Sequence, residues 1–210
     1  YKYQKYYDDE KKMEECKFSL GYTEGLTDAG ELLLETVKHD AYYGMAWIKA
    51  IRREIINANG INFEKGLLGE DMEWYFHLLA VTHSIAAIDT SYIAYRQRIG
   101  SITSTHKLKN LTDFIYILEK WNCGIEQADI TETMKVALRG ALAKYYSNLL
   151  IVYVRLNDKG KKQHIKEIKA LHSLLDNSKS KRPETIRKVY KLLGFTGTTM
   201  LLKVFDKVKG

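Results

Sequence analysis

Hydrophobic and polar positions change period along the chain. Residues 1–7 alternate tyrosine with polar side chains and read as a strand; 8–15 is a charged turn, and 16–20 reads as a returning strand. Asp28 followed by Glu31 has the form of a capping box and starts a helix that runs to about residue 39. Residues 47–59 read as a second helix, with Ile48, Ile51, Ile55 and Ile56 on one face and Gly60 as its stop. After Gly69, Glu70 and Asp71 open a helix whose apolar positions Met72, Tyr75, Phe76 and Leu79 recur every three or four residues. Residues 85–96 mix β-branched and aromatic side chains in near alternation, as one strand or a bent pair. From residue 107 every long segment has helical period: 108–121, 131–156, 161–175 and 183–193, with Pro183 suited to a first turn, and then a short segment at 200–208. The pattern predicts an α+β chain, mostly α, with a boundary near His106 between residues 1–106 and a helical part, residues 107–210.

Composition narrows the class. At 210 residues, with 45% hydrophobic and 28% charged positions, the chain is long enough for one or two small domains with a real core. A single proline fits a helix-rich chain. Cys16 and Cys123 have no paired spacing, so a reducing, cytoplasmic setting is expected. The longest apolar stretch, 141–156, is interrupted by Lys144, Ser147 and Asn148 and reads as a buried helix, not a membrane span. The chain begins at Tyr1 inside an alternating segment, which suggests a piece of a longer protein. Charge is uneven: residues 155–210 hold 15 Lys and Arg against 5 Asp and Glu, a net +10, which leaves −3 for the rest of a chain whose total is +7. A basic tail of this kind suits an anionic partner.

Candidate chemistry lies between Trp47 and Thr103. In order come Trp47-Ile48-Lys49-Ala50-Ile51-Arg52-Arg53, then Gly60-Ile61-Asn62-Phe63-Glu64-Lys65-Gly66. Gly69-Glu70-Asp71-Met72-Glu73-Trp74 follows, and the series closes with Tyr95-Arg96-Gln97-Arg98-Ile99-Gly100-Ser101-Ile102-Thr103. No single piece is specific; the ordered set resembles the second half of the catalytic domain of family 2 glycosyltransferases, above all the bacterial members that build cell-surface polysaccharides. The likeness covers about residues 20–106.

The resemblance implies an inverting GT-A enzyme, of which residues 1–106 are the acceptor-side remnant and 107–210 a helical extension. It implies Asp71 as the general base and Glu70 as a residue shaping the acceptor pocket. An inverting transfer needs a carboxylate to take the acceptor hydroxyl's proton, and a helix start would hold it ionised. The plain alternative is that Asp71 caps its helix. Trp47 and Trp74 offer flat faces to a sugar ring, or else pack in a core. Arg96 and Arg98 suit a donor diphosphate, or else form a solvated pair. A divalent metal, Mg or Mn, is implied for the full-length enzyme. This chain is expected to hold none, because Asp8-Asp9-Glu10 reads as an exposed turn and no Asp-x-Asp ends a buried strand. Implied partners are a nucleotide-sugar donor and a saccharide or lipid-linked acceptor in the full-length protein, with the chain itself inactive. The basic tail, where Lys interleaves with Leu192, Leu193, Phe195, Leu201, Leu202 and Phe205, fits an anionic membrane surface or an ordinary solvated helix face. Two other readings stay open: a non-catalytic helical interaction module, and a basic nucleic-acid-binding helical domain, against which stands the lack of a helix-turn-helix signature.

Overall fold

The computed structural model describes residues 1–7, 11–97 and 107–209. Strand β1 (Lys2–Tyr7) is the middle of a three-stranded sheet: β2 (Lys12–Glu15) pairs with it antiparallel, and β3 (Ser91–Gln97) pairs parallel on the other side. The returning strand is therefore shorter and earlier than expected, because Gln4 to Tyr7 pair with Glu15 to Lys12 and residues 16–20 leave the sheet. β3 likewise begins only at Ser91. β1 offers it partners from Lys2 to Tyr7, the Lys2 N–H donating to the Thr90 carbonyl at 3.0 Å, and residues 85–89 pair with no strand among the described residues. The Asp8-Asp9-Glu10 turn, Arg98 and Gly100-Ser101-Ile102-Thr103 lie outside the described residues.

Helix α1 (Ala29–Lys38) begins where expected: the Asp28 carboxylate accepts a hydrogen bond from the Glu31 N–H at 2.8 Å. The helix expected over 47–59 is instead a 3-10 turn, Ala46–Ile48, an extended stretch, and a short α2 (Arg53–Ala58). Lys49 explains the break. Its ammonium turns back to donate to the carbonyls of Tyr43 and Met45, and Lys49 and Arg52 themselves are extended. The isoleucine face still forms, since Ile51, Ile55 and Ile56 pack around Ile61, Trp74 and Leu78. Helix α3 (Glu70–Leu79) follows, bearing Glu70, Asp71 and Glu73 in its first turn.

The rest is helical: α4 (Leu108–Gln127), α5 (Glu132–Arg155, with Thr131 capping it through Met134 N–H), α6 (Ile165–Ala170) between two 3-10 segments, and α7 (Lys181–Lys209). α5 is the central post, buried on most of its sides through residues such as Leu138, Leu142, Tyr146 and Leu150. One apolar cluster joins Leu33 and Val37 of α1, Phe76 and Leu79 of α3, and α4, α5 and α7. The segments on either side of residue 106 thus share a core, in which Phe76 of α3 stacks on Trp121 of α4 at 5.6 Å. The fold is α+β and mostly α, as the pattern of positions indicates.

Candidate active site

Gly69, at φ 89°, sets the turn into α3 in a conformation that side-chain-bearing residues avoid. It is the N-cap and offers no side-chain bond, so the helix is not capped by Asp71. Glu70 folds back instead, and its carboxylate accepts the Gly69 N–H at 3.1 Å. Asp71 is half-buried, near enough to the backbone amide of Ala46, in the 3-10 turn, for that amide to favour its charged form.

The helix start is not the only influence on Asp71. Burial, then the negative charge of Glu70, push its carboxyl above the ordinary aspartate range; the Ala46 amide and Lys49 oppose this without reversing it. Its cationic neighbour is perturbed in turn. Burial brings Lys49 down to about 7, against which Asp71 works. The Lys49 ammonium sits 3.8 Å from the centre of the Tyr75 ring and donates at 2.8 Å to the Tyr43 carbonyl. Tyr42 stacks on Tyr75 at 5.3 Å and meets Tyr145 edge-on at 5.9 Å, and burial raises all three well above the usual tyrosine range, so they are neutral.

The same turn reaches the sheet. The Trp47 ring stacks on Tyr95 of β3 at 4.9 Å and meets Tyr3 of β1 edge-on at 5.1 Å. The Tyr1 hydroxyl donates to the Trp47 carbonyl at 2.9 Å. Asp71, Glu70, Lys49, Trp47 and the end of β3 are thereby drawn together from segments far apart in the chain. Arg96 follows Tyr95 on β3 and is exposed. Trp74 goes elsewhere: it is 6% exposed, with its ring stacked on Phe63 at 5.1 Å and packed against Ile61 and Leu78. Its reading as a sugar platform is corrected to that of a core residue, because no ring face is left open.

Beside this group opens a cavity of about 450 Å³, walled by apolar residues such as Leu20, Leu33, Ile51 and Leu79, with Lys49 and Tyr75 on its polar side. Asp71 is not among the residues of its walls. The Tyr42 hydroxyl, on the cavity wall, is buried and has no hydrogen-bond partner among the described residues. Lys49 and these tyrosines carried no role in the sequence reading. Lys49 stood within the quoted pattern, but only the fold reveals that it is half-buried over Tyr75 and within electrostatic reach of Asp71.

No family model, no curated protein and no solved structure matches this chain.

A divalent metal finds no fitting ligand set here. Among the described residues no group of three or more His, Cys, Asp or Glu is placed to hold one.

Proposed function

We propose that this chain supplies the acceptor side of an inverting glycosyltransferase, with Asp71 as the base. The nucleotide sugar would be bound by a donor half outside these 210 residues. The observation that carries the reading is the Lys49 ammonium over the Tyr75 ring at 3.8 Å. It ties the helix that Glu70 and Asp71 open to the Trp47 turn, and Trp47 in turn stacks on Tyr95 of β3. Three pieces of the ordered pattern meet at one place.

The chemistry asked of the site is a single displacement. An acceptor hydroxyl attacks the anomeric carbon, a new C–O bond forms with inversion, and the bond to the nucleotide diphosphate breaks. The hydroxyl proton passes to Asp71, and the leaving diphosphate departs with the electron pair. A carboxyl raised above the ordinary aspartate range is the stronger base. Lys49 holds the turn that positions Asp71, through the Tyr43 and Met45 carbonyls. Trp47, half-buried, would be the one of the two candidate tryptophans to meet a sugar. Arg96, exposed at the end of β3, is on the element that would approach the donor diphosphate. Glu70 keeps a second negative charge beside the base.

The test is a transfer assay. Protein from the full reading frame is given a panel of nucleotide sugars, a divalent metal and saccharide or polyprenyl-diphosphate-linked acceptors. Extension of an acceptor by one sugar, read by mass, supports the proposal; no extension across the panel by well-folded protein contradicts it.

A further inference from the structure

Helix α7 bends at Gly194, whose φ of 62° and ψ of −170° lie in a region that glycine alone enters freely. Beyond the bend the helix has two apolar stripes instead of one. The inner stripe follows the spacing of one helix face, through Phe195, Thr198, Leu202 and Asp206. Phe195 and Thr198 are buried, and the Phe195 ring meets Tyr153 of α5 at 5.3 Å. Leu202 packs on the core, and the Asp206 carboxylate accepts from the Arg155 guanidinium at 2.6 Å. Roughly opposite lie Met200, Leu201, Val204, Phe205 and Val208, between 49% and 81% exposed. A helix with one side in a core ordinarily turns polar residues outward. Here the outward polar residues are confined to one border of the stripe, where Lys203 and Lys207 stand exposed. Lys161, on the neighbouring 3-10 segment, is close enough to Lys203 to be repelled by it.

We propose that the outer face of α7 beyond Gly194 docks in the plane of an anionic phospholipid bilayer. Met200, Leu201, Val204, Phe205 and Val208 enter the acyl boundary, and Lys203 and Lys207 reach the headgroup phosphates. Among the described residues no helix is long and apolar enough to cross a membrane, so the segment lies on the surface. Lysine stems extend along apolar surface while their ammonium groups stay at the headgroups. Charge selects the occupant. α7 carries eight Lys and Arg against two Asp and Glu. A second copy docking face to face would gather Lys203 and Lys207 of both copies into one interface, since such an interface repeats one patch on both sides. An anionic leaflet relieves that repulsion. The inference does not depend on the glycosyltransferase reading.

The test is co-sedimentation of the chain with vesicles of mixed phosphatidylcholine and phosphatidylglycerol, against vesicles of phosphatidylcholine alone. Binding is expected to be at least about tenfold stronger on the anionic vesicles and to weaken as sodium chloride is raised. Met200→Ser with Val204→Ser should lower binding about tenfold or more. Lys203→Gln with Lys207→Gln should remove most of the salt dependence. Both variants replace outward-facing residues, so their helical circular dichroism and thermal midpoint should match the parent. Equal binding to the two vesicle types, no binding to either, or full binding by the folded Met200→Ser, Val204→Ser variant would overturn the proposal. So would a dimer, seen by sedimentation velocity and abolished by Val204→Ser, in a chain that ignores vesicles.

Discussion

Replacing Lys49 by Met keeps the stem on Tyr75 and removes the ammonium, and the effect on stability should depend on pH in a definite way. In the folded chain Lys49 titrates at about 7, pulled down by burial, against an ordinary value of 10.5. At pH below about 7 both folded and unfolded states carry the proton, and the folded state bears the whole cost of burying the charge. As pH rises from there, the folded lysine is neutral while the unfolded one still binds its proton. The unfolded state then holds more protons, so the parent gains stability with pH. The gain is at most about 1.4 kcal/mol for each pH unit, or about 2.7 kcal/mol between roughly pH 7 and pH 9, and it ceases above the unfolded value. Lys49→Met lacks this term. Urea unfolding of both proteins, followed by circular dichroism at several pH values in that window, gives the difference directly. Other groups that titrate in both proteins largely cancel. The parent should improve relative to the variant as pH rises. A difference constant across the window would mean that Lys49 keeps an ordinary pKa, and the described surroundings of Asp71 would be wrong.

Two further outcomes test how α1 and α3 are held. Asp28→Ala should cost about 1 kcal/mol in urea unfolding through loss of the bond to Glu31 N–H, and an unchanged midpoint would contradict that cap. Glu73 is 2% exposed and lies 2.7 Å from the Lys120 ammonium, which also reaches Glu64. Lys120→Met should destabilise by about 1–3 kcal/mol, less than for a fully enclosed pair because Lys120 is partly in water. Adding Glu73→Gln should recover most of the loss, whereas additive losses would show that the pair is not coupled.

The helical part of the fold was legible because its signals are local. The Asp28 cap, the Glu70-Asp71 start and the three- and four-residue spacing of 108–156 each state their own structure within a turn or two. What misled was spacing whose partners are distant. Residues 47–59 have a fair helical face, but Lys49 finds better partners in the Tyr43 and Met45 carbonyls, and the chain breaks there. Residues 85–89 have strand-like side chains but no strand to pair with among the described residues. At the site, the acidic pair and Trp47 were visible as types in order. Two things depend on tertiary contact and left no mark in the sequence: the placing of the Lys49 ammonium over Tyr75, and the closure of Trp74 by Phe63.

The central claim, that Asp71 takes the proton from an attacking hydroxyl, is tested by Asp71→Asn in the protein from the full reading frame. The amide keeps the shape of the side chain but cannot accept the proton. Sugar transfer from the nucleotide donor found in the panel assay, measured at saturating acceptor, should fall about 10²- to 10⁴-fold. The unfolding midpoint should stay near that of the parent, and donor binding should be unchanged. Transfer at the parental rate by folded Asp71→Asn protein would contradict the account.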